Sequence, residues 1–494
     1  METRISLEER KIKEERGADI SHPKFPSDND DFLIGAPVGI FRIQSIQNIS
    51  IEDMTRGLLG PGLKTSPHSM SWLDCLHIAN KAKEKNNLVK TVEWLQMAVT
   101  LANASATQDI PDLKIGLNLP STDVMQHLNY LLTEAVKYHD SMALKYGKFS
   151  NTAEENPAVT RIVPFNETLA RSSAKKVKKW KKKYEKFVAK FPMFEESDVY
   201  TVQDRLAYWD KIDHQCQDLP ESPFIVRHGS HQCHNLHKSN PFLRLGPRML
   251  EILAQSPTVA LFHNFLTDKE CEQLRDKGRN RMKATPLSVQ KGNSQAKLNS
   301  YTDRRTSKIR YISHRKDSLA RNINDKISRA LDFDLNGEPI AAENFQLMNY
   351  GLGNVGQSNR NVKLDLLFIL SGGYIELHRD ANVDDVNYDA GPPAWLISGE
   401  RLMTFMVYLS STEKGGNTVF PLQGVSVPPR EGTALFWHTV TSSGYQDQRM
   451  KHLGCPVVYG DKWIVNKWIK WHHHMFSHPC HVEKGKFYSI NTQR

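Results

Sequence analysis

Beyond residue 240 the chain consists of short apolar segments, each a few residues long, that glycine and proline separate. The segments are rich in β-branched and aromatic residues, which favour strands, and few helical patterns lie between them. This succession predicts a β-sandwich or jelly roll. The predicted strands are Thr258–Phe262, Glu343–Tyr350, Arg401–Leu409, Thr433–His438 and Lys462–Ile469.

Two helices are predicted within this β-rich part. The first spans Asp268–Arg281, because the preceding Thr267 and the following Glu270 form a capping signal. The second spans Asp317–Leu331. The β-rich part is therefore expected to carry helices outside its sheets, which makes the whole chain a multidomain α+β protein.

Apolar residues recur at every third and fourth position through most of residues 31–168, which predicts antiparallel helices. The strongest patterns lie at Trp72–Ala79, Val92–Leu101 and Leu128–Leu144. The aromatic and small residues of the first two segments have the spacing of a tetratricopeptide-like hairpin, a unit that stacks into concave peptide-binding faces. Ordinary helical packing is the alternative.

Length and composition indicate a folded protein of several domains. The 494 residues leave room for about three domains, and 39% hydrophobic with 24% charged residues is typical of globular chains. The net charge of +10 permits an acidic partner without requiring one. The basic segment Lys175–Lys190 is interpreted as a solvated helix with an aromatic stripe, and nucleic-acid binding is the alternative. We therefore expect no nucleic-acid partner.

The sequence predicts neither a membrane span nor a secretory signal. Its longest apolar runs, such as Leu364–Leu370, are much shorter than the ~20 residues that cross a bilayer. Residues Met1–Gly17 are charged and helix-prone, without the apolar core that a signal peptide needs.

Four polar residues of the β-rich part have the spacing of a metal and anion site. His378 and Asp380 are two positions apart, so on a strand both side chains project from one face. His452 completes a set of two histidines and one carboxylate, which leaves open positions on ferrous iron. Lys462 follows ten residues later, and a 2-oxo acid that chelates iron needs such a cation for its far carboxylate.

Several ordered motifs together resemble the catalytic domain of prolyl 4-hydroxylase α subunits. These motifs are Asn349–Gly353 (NYGLG), Gly372–Asp380 (GGYIELHRD), Thr404–Pro421 (TFMVYLSSTEKGGNTVFP), Gly432–Trp437 (GTALFW) and His452–Trp468. The likeness covers Phe242–Cys480 well and extends more loosely back toward residue 25. It implies a double-stranded β-helix, or jelly roll, that binds Fe(II) and 2-oxoglutarate, preceded by a tetratricopeptide-like helical domain.

The resemblance also implies a role for individual residues. The implied iron ligands are His378, Asp380 and His452. Lys462 is implied as the partner of the distal 2-oxoglutarate carboxylate, and Thr404 and Tyr350 as residues that line the same cosubstrate pocket. Trp468 is implied to lie near the peptide proline. Ordinary strand packing is the alternative explanation for Thr404 and Trp468.

The implied activity is hydroxylation of peptidyl proline, in X-Pro-Gly or collagen-like peptides, to 4-hydroxyproline. The reaction consumes O2 and 2-oxoglutarate and gives succinate and CO2, and L-ascorbate is expected to keep the iron reduced. The alternative is a weakly active or inactive paralogue that binds partner proteins through its helical domain. The four spaced site residues favour the enzyme, because a pseudoenzyme has no need of them.

The cysteines bear on the compartment. By resemblance, Cys216 pairs with Cys233 and Cys455 pairs with Cys480. A competing interpretation is a zinc site, whose ligands would come from His228, His231, Cys233, His234 and His237. Paired cysteines and the family likeness predict the endoplasmic reticulum lumen, with protein disulfide isomerase as a second subunit.

Two departures from the family pattern affect activity. Tyr350 precedes His378 by 28 residues rather than nine, and removal of Asn354–Gly372 would restore the family register. We interpret this extra segment as a retained intron or gene-model error; a genuine loop insertion is the alternative. In the helical domain, Leu88 and Val89 stand where peptide-binding relatives tend to have aromatic residues.

The predicted plan has six parts. They are a charged lead (1–24), a remnant of a dimerisation region (25–62), a tetratricopeptide-like peptide-binding domain (63–150), a basic helical and loop linker (151–240), a dioxygenase domain (241–480) and a tail (481–494).

Overall fold

A computed structural model of the chain describes most of the β-rich part and several helices of the first half. The described residues are 39–58 without 42, 45 and 48; 69–106 without 85 and 86; 121–146; 212–217 without 213; 232–236; 241–284 without 256 and 280; 307–350 without 338 and 339; 375–381; and 399–482 without 445 and 446. The charged lead, the basic segment Lys175–Lys190 and the extra segment Asn354–Gly372 lie outside these residues.

The helices of the described residues agree with the predicted periodicity. They are α1 (Ile51–Thr55), α2 (Trp72–Glu84), α3 (Leu88–Ala106), α4 (Ser121–Tyr146), α5 (Pro241–Leu245), α6 (Asp268–Gly278) and α7 (Ser318–Leu331). Helices α2 and α3 pack on each other, as do α3 and α4. Their shared core buries Cys75, Ile78, Trp94 and Ala98 completely. Helices α1 to α4 belong to a compact unit formed by Met1–Val38 and Ser50–Met193.

A second compact unit, formed by Gly39–Ile49 and Phe194–Arg494, contains the strands. The first eight are β1 (Gln232–Leu236), β2 (Arg248–Gln255), β3 (Thr258–Phe262), β4 (Lys283–Ala284), β5 (Lys308–Ile312), β6 (Phe345–Asn349), β7 (Ile375–His378) and β8 (Arg401–Tyr408). The others are β9 (Thr412–Gly415), β10 (Thr418–Phe420), β11 (Val425–Val427), β12 (Ala434–His438), β13 (His452–Gly454), β14 (Val457–Gly460) and β15 (Trp463–Lys470).

The described strands pair antiparallel throughout. A nine-stranded sheet has the order β1-β2-β3-β12-β8-β15-β6-β5-β4, a four-stranded sheet the order β11-β10-β13-β7, and β14 pairs with β9. The predicted β-rich domain is confirmed, and its described strands form antiparallel sheets.

Alternate residues of the nine-stranded sheet enter two separate cores. On its outer face, Phe405 and Val465 pack with Leu274 of α6 and Ile327 of α7. On its inner face, the neighbouring positions pack with residues of β10 and β14, for example Ile464 with Phe420. Because side chains alternate along a strand, one face carries the helices and the other faces the smaller sheet. The space between the two sheets is where the predicted site residues converge.

Helix α6 reaches the sheet closely because its sequence fits both of its ends. At the start, the Thr267 hydroxyl accepts from Glu270 N at 3.3 Å, and Thr267 N donates to the Glu270 carboxylate at 3.0 Å. This is the predicted capping box. At the end, a Cβ on Gly278 would lie 2.6 Å from the Trp463 ring and 2.7 Å from the Leu347 side chain. Only glycine permits that approach.

The predicted cysteine pairings, Cys216 with Cys233 and Cys455 with Cys480, are wrong in this structure. Cys216 is bonded to Cys455, with their Cα atoms 5.5 Å apart. The cause is packing: Cys216 and Cys455 share an apolar cluster with Ile212, Val419 and Leu453, behind the strands β10 and β13. Cys233, on the sheet-edge strand β1, and Cys480, after β15, are free and exposed. Short spacing in the sequence was therefore a poor guide to pairing.

The zinc alternative also finds no support among the described residues. Among the described residues, neither Cys233 nor His234 belongs to a cluster of side chains that could hold a metal ion. His228, His231 and His237 lie outside the described residues.

The disulfide gives the first testable prediction. Replacement of Cys216 by serine opens a link between residues 239 positions apart, so the free energy of unfolding should fall by about 2–5 kcal/mol. Cys480→Ser, at an exposed free thiol, is the matched control and should leave stability unchanged. Peptide mapping of the unreduced protein should recover Cys216 joined to Cys455. Recovery of Cys216 joined to Cys233 would contradict the assignment.

Candidate metal and cosubstrate site

Two imidazoles and one carboxylate converge between the sheets. Strands β7 and β13 pair antiparallel with His378 directly opposite His452, and their ring centroids are 4.3 Å apart. Asp380 follows two residues after His378, just beyond the end of β7. Its carboxylate oxygens lie 3.9 Å from His378 Nε2 and 3.7 Å from His452 Nε2. One ligand atom from each residue lies within 4.8 Å of the others, close enough to share one metal ion.

The His452 ring is held with one nitrogen available. Its Nδ1 lies 3.1 Å from the carbonyl oxygen of Met450, and a carbonyl can only accept, so Nδ1 carries the proton. Nε2, which points at Asp380, then keeps its lone pair for a metal ion. Trp437 packs edge-on against the ring at 4.8 Å between centroids, and Phe420 lies at 5.2 Å.

Asp380 is fixed by two further hydrogen bonds. Thr404 Oγ1 donates to its Oδ2 at 2.7 Å, and Arg401 Nη1 donates to its backbone oxygen at 3.1 Å. Burial by itself opposes ionisation, but the charges of His452, His378 and Arg401 and the Thr404 hydrogen bond outweigh it. The pKa of Asp380 is therefore lowered below its ordinary value, which favours the charged, metal-binding form.

Arg401 is a site residue that the sequence reasoning missed. It forms a two-pronged ion pair with Glu343, with N–O distances of 2.7 and 2.9 Å, and Lys470 adds a contact to the same carboxylate at 3.1 Å. Its guanidinium also lies over the Trp468 ring, 3.7 Å from the centroid. The only sequence signal is an arginine at the start of an apolar strand, and neither partner could be identified from spacing.

Lys462 is a buried cation at the other side of the site. It is 1% exposed, and its Nζ donates to the Gly416 carbonyl at 2.5 Å, with Thr418 Oγ1 at 3.5 Å. The rings of Tyr350 and Tyr408 lie 5.0 and 5.7 Å from Nζ. Burial lowers the pKa of Lys462 to about 7. In the described part of the chain no carboxylate pairs with it, so an external anion would stabilise its charged form.

Gly454 connects the cation to the metal ligands. It follows His452 by two residues on β13, so the Cα atoms of His452 and Gly454 lie roughly 7 Å apart along the strand. A Cβ at this glycine would lie 3.6 Å from Lys462 Nζ and 3.9 Å from the Tyr350 ring. Gly454 therefore places no side chain between Lys462 Nζ and the Tyr350 ring.

The structure brings together all the residues predicted for the site. Tyr350 reaches Lys462, although 28 residues separate it from His378, and Tyr350 N also donates to the Lys462 carbonyl at 2.9 Å. Thr404 contacts the metal carboxylate, whereas the sequence predicted that it lines the cosubstrate pocket. Trp468 lies opposite Thr404 on the adjacent strand, and its buried indole N–H has no partner among the described residues.

Comparisons with known proteins agree with this geometry. Residues 365–470 match the family model of the 2OG-Fe(II) oxygenase superfamily. Prolyl 4-hydroxylase subunit alpha-3 of Homo sapiens is 26% identical over 464 residues, which are 91% of this chain and 75% of that protein. Prolyl 4-hydroxylase subunit alpha-1 of Mus musculus is 25% identical over 474 residues, 93% of this chain and 77% of that protein.

Among solved structures, the viral collagen prolyl hydroxylase vCPH from Paramecium Bursaria Chlorella virus-1, in its 2OG complex, matches with a TM-score of 0.28. It is 23% identical and covers 43% of this chain and 94% of its own. A Pseudomonas putida prolyl-4-hydroxylase matches with a TM-score of 0.24 and 16% identity, covering 44% of this chain and 94% of its own. Both TM-scores are low, so the similarity is carried by the sequence matches.

The Thr404 hydrogen bond gives a second prediction. Thr404→Val removes the donor to Asp380 but keeps the side-chain shape, so Mn(II) should bind about 10–100-fold more weakly. Thr404→Ser keeps the hydroxyl and is the matched control. The dissociation constant of Mn(II) for each purified variant measures the effect. Equal affinities in the valine and serine variants would contradict the assigned role of Thr404.

Proposed function

We propose that this chain, which is similar to prolyl 4-hydroxylase α subunits, is a dioxygenase that converts peptidyl proline to 4-hydroxyproline. The observation that carries the proposal is the combination of a two-histidine, one-carboxylate cluster with a buried lysine that lacks a carboxylate partner among the described residues. A metal site alone would suit many reactions. The added cation suits a cosubstrate with two carboxylates.

The residues fit Fe(II) and 2-oxoglutarate. The residues that would hold the metal are His378, Asp380 and His452, a donor set typical of iron dioxygenases. Lys462 would bind the distal carboxylate of 2-oxoglutarate. Bound Fe(II) supplies the oxidation: one atom of O2 enters the proline, the other enters the succinate formed from 2-oxoglutarate, and CO2 is released.

The protein orients the ligand residues and excludes water from them. Thr404 and Arg401 hold Asp380 at its side-chain and backbone oxygens, so the carboxylate keeps one orientation. Trp437 fixes the His452 ring and also excludes water from it. Arg401 and Trp468, stacked at 3.7 Å, form a flat wall against which a proline ring could pack. Burial keeps the surroundings of Lys462 at a low dielectric, which strengthens its contact with an anion.

The substrate would be an X-Pro-Gly or collagen-like peptide, and the helical unit would act as a tetratricopeptide-like peptide-binding domain. The packing of α2 on α3 supports that role. Leu88 and Val89 are 5% and 3% exposed, so they belong to the helical core rather than to a peptide-binding surface. Peptide contacts by this unit would then come from other, exposed side chains.

The same proposal includes a compartment and a partner. The disulfide between Cys216 and Cys455 supports an oxidising compartment, and we place the protein in the endoplasmic reticulum lumen with protein disulfide isomerase as its second subunit. L-ascorbate would keep the iron reduced. None of the helices in the described residues is long and apolar enough to cross a membrane.

Turnover is the direct test of the function. The full chain, produced together with protein disulfide isomerase, should form succinate in proportion to an added (Pro-Pro-Gly)n peptide when Fe(II), 2-oxoglutarate and ascorbate are present. His452→Ala removes a ligand and should abolish this coupled turnover. Lys81→Ala, at an exposed ion pair of α2, is a matched surface control and should retain it.

Two results would overturn the proposal. Absence of proline-dependent turnover, in the full chain and in a form without Asn354–Gly372, would favour the non-catalytic paralogue. Unchanged coupled turnover in His452→Ala would show that the metal is held elsewhere.

The buried lysine predicts a pH dependence of cosubstrate binding. Only the protonated ammonium attracts a carboxylate, and burial lowers the pKa of Lys462 to about 7 in the free protein. Binding should therefore take up a proton above pH 7, and the affinity for 2-oxoglutarate should fall by up to about tenfold for each pH unit above it. The dissociation constant of the Mn(II)-loaded protein between pH 6 and 9 measures this slope.

Lys462→Arg is the matched control, because a guanidinium stays charged throughout this range. The Lys462→Arg protein should bind 2-oxoglutarate more weakly overall. Its affinity should change less with pH, because binding takes up one proton fewer. Parallel slopes for the two proteins would contradict the assignment of the carboxylate to Lys462.

A further inference from the structure

Asn466 is a polar residue on the inner face of the nine-stranded sheet, and the proposed reaction assigns it no role. Lys462 precedes β15, and the positions that alternate with it along the strand are Ile464, Asn466 and Trp468. Ile464 packs in the inner core, and Trp468 lies opposite Thr404, whose hydroxyl binds the metal carboxylate. Asn466 therefore lies on the face of the site, between the cation and the metal side.

The Asn466 amide ends a chain of hydrogen bonds across three strands. Tyr311, Gln346 and Asn466 are direct neighbours on β5, β6 and β15. Gln346 Nε2 donates to the Tyr311 hydroxyl at 2.9 Å, and Asn466 Nδ2 donates to Gln346 Oε1 at 3.5 Å. Tyr311 is 55% exposed, so the chain begins at the surface and leads inward. It orients the Asn466 amide, with the nitrogen toward Gln346 and the oxygen on the other side.

The oxygen at the inner end is unsatisfied. Asn466 is 8% exposed, and its Oδ1 has no hydrogen-bond partner among the described residues. A buried acceptor without a donor lowers stability, and an apolar side chain of similar size would avoid that loss. The neighbouring Trp468 indole N–H is likewise buried without a partner in the described part. Two unpaired polar atoms therefore lie on the face of the proposed site, where a bound ligand can satisfy them.

The chemistry of the ligand distinguishes the cosubstrate from the peptide. At neutral pH 2-oxoglutarate presents only carboxylate and keto oxygens, which are acceptors and cannot satisfy an amide oxygen. A peptide supplies N–H donors, but proline has none. In an X-Pro-Gly sequence the residue before the target proline is itself often proline. The glycine after the target proline is then the nearest residue that always offers an N–H.

On the basis of the proposed function, we propose that Asn466 positions the substrate: its Oδ1 accepts the hydrogen bond of the glycine N–H that follows the target proline. This contact fixes the peptide direction across the site and gives a reason for glycine-following prolines to be selected. The contact joins a main-chain N–H of the peptide to the side-chain oxygen of Asn466. It can therefore be removed by a change in the peptide or by a substitution in the protein.

The test compares two synthetic X-Pro-Gly peptides, one normal and one with an ester in place of the amide bond after the target proline. With wild-type protein, loss of the N–H should lower kcat/KM by about five- to tenfold, mainly through KM. In Asn466→Leu, kcat/KM for the normal peptide should fall by a similar factor. For the ester peptide kcat/KM should fall little further, because that peptide already lacks the N–H of the contact. The affinity for 2-oxoglutarate should stay unchanged.

Asn324→Leu is the matched control, since Asn324 is a fully buried amide of α7, on the other face of the large sheet, whose oxygen is also unpaired among the described residues. It should keep the wild-type ratio between the two peptides. Asn466→Ala replaces the leucine variant if that variant does not fold.

The inference and the function can fail separately. Equal amide-to-ester ratios in wild-type and Asn466 variants would overturn the inference, even with full proline hydroxylation. Lack of turnover by the wild-type protein would overturn the function. The dissociation constants of both peptides for the Mn(II)- and 2-oxoglutarate-loaded protein would then still decide the inference, and equal values or no binding would contradict it.

Discussion

The pairing register of β7 and β13 is the constraint on which the site depends. It places His378 and His452 opposite each other, and a shift by one residue would turn one imidazole to the other face of the small sheet. Asp380 cannot compensate for such a shift, because Thr404 and Arg401 hold it from the large sheet. The cluster of His378, Asp380 and His452 therefore forms only when both sheets are correctly formed and face each other. Binding of a metal ion should in turn stabilise that arrangement.

The two faces of the large sheet separate packing from chemistry. The outer face is mainly apolar where it lies under α6 and α7, and it supplies burial that any fold of this size needs, although the buried Lys467 also lies on it. The inner face contains polar groups at a cost in stability: a lysine without a described carboxylate partner and an amide and an indole without described partners. These inner-face groups lie beside the proposed site, where a bound ligand can satisfy them.

The sequence predicted the parts of the site that local spacing determines. His378 and Asp380 are adjacent on one strand face, and the capping box at Thr267 lies within four residues, so both could be read directly. Lys462 was found because a 2-oxo acid needs a cation. By contrast, the Arg401 contact to Asp380, the Cys216–Cys455 bond and the unpaired Asn466 oxygen depend on residues that meet only after the sheets form. Spacing in the sequence does not predict such long-range contacts, and the expected cysteine pairings were wrong.

The central claim is that one small ligand joins the metal cluster to Lys462. A crystal of the protein soaked with Mn(II) and 2-oxoglutarate tests it most directly, because the anomalous signal locates the metal and the electron density locates the ligand. The account predicts Mn(II) bound by His378, Asp380 and His452, with the distal carboxylate in contact with Lys462 Nζ. A metal at other residues, or a carboxylate that does not contact Lys462, would contradict it.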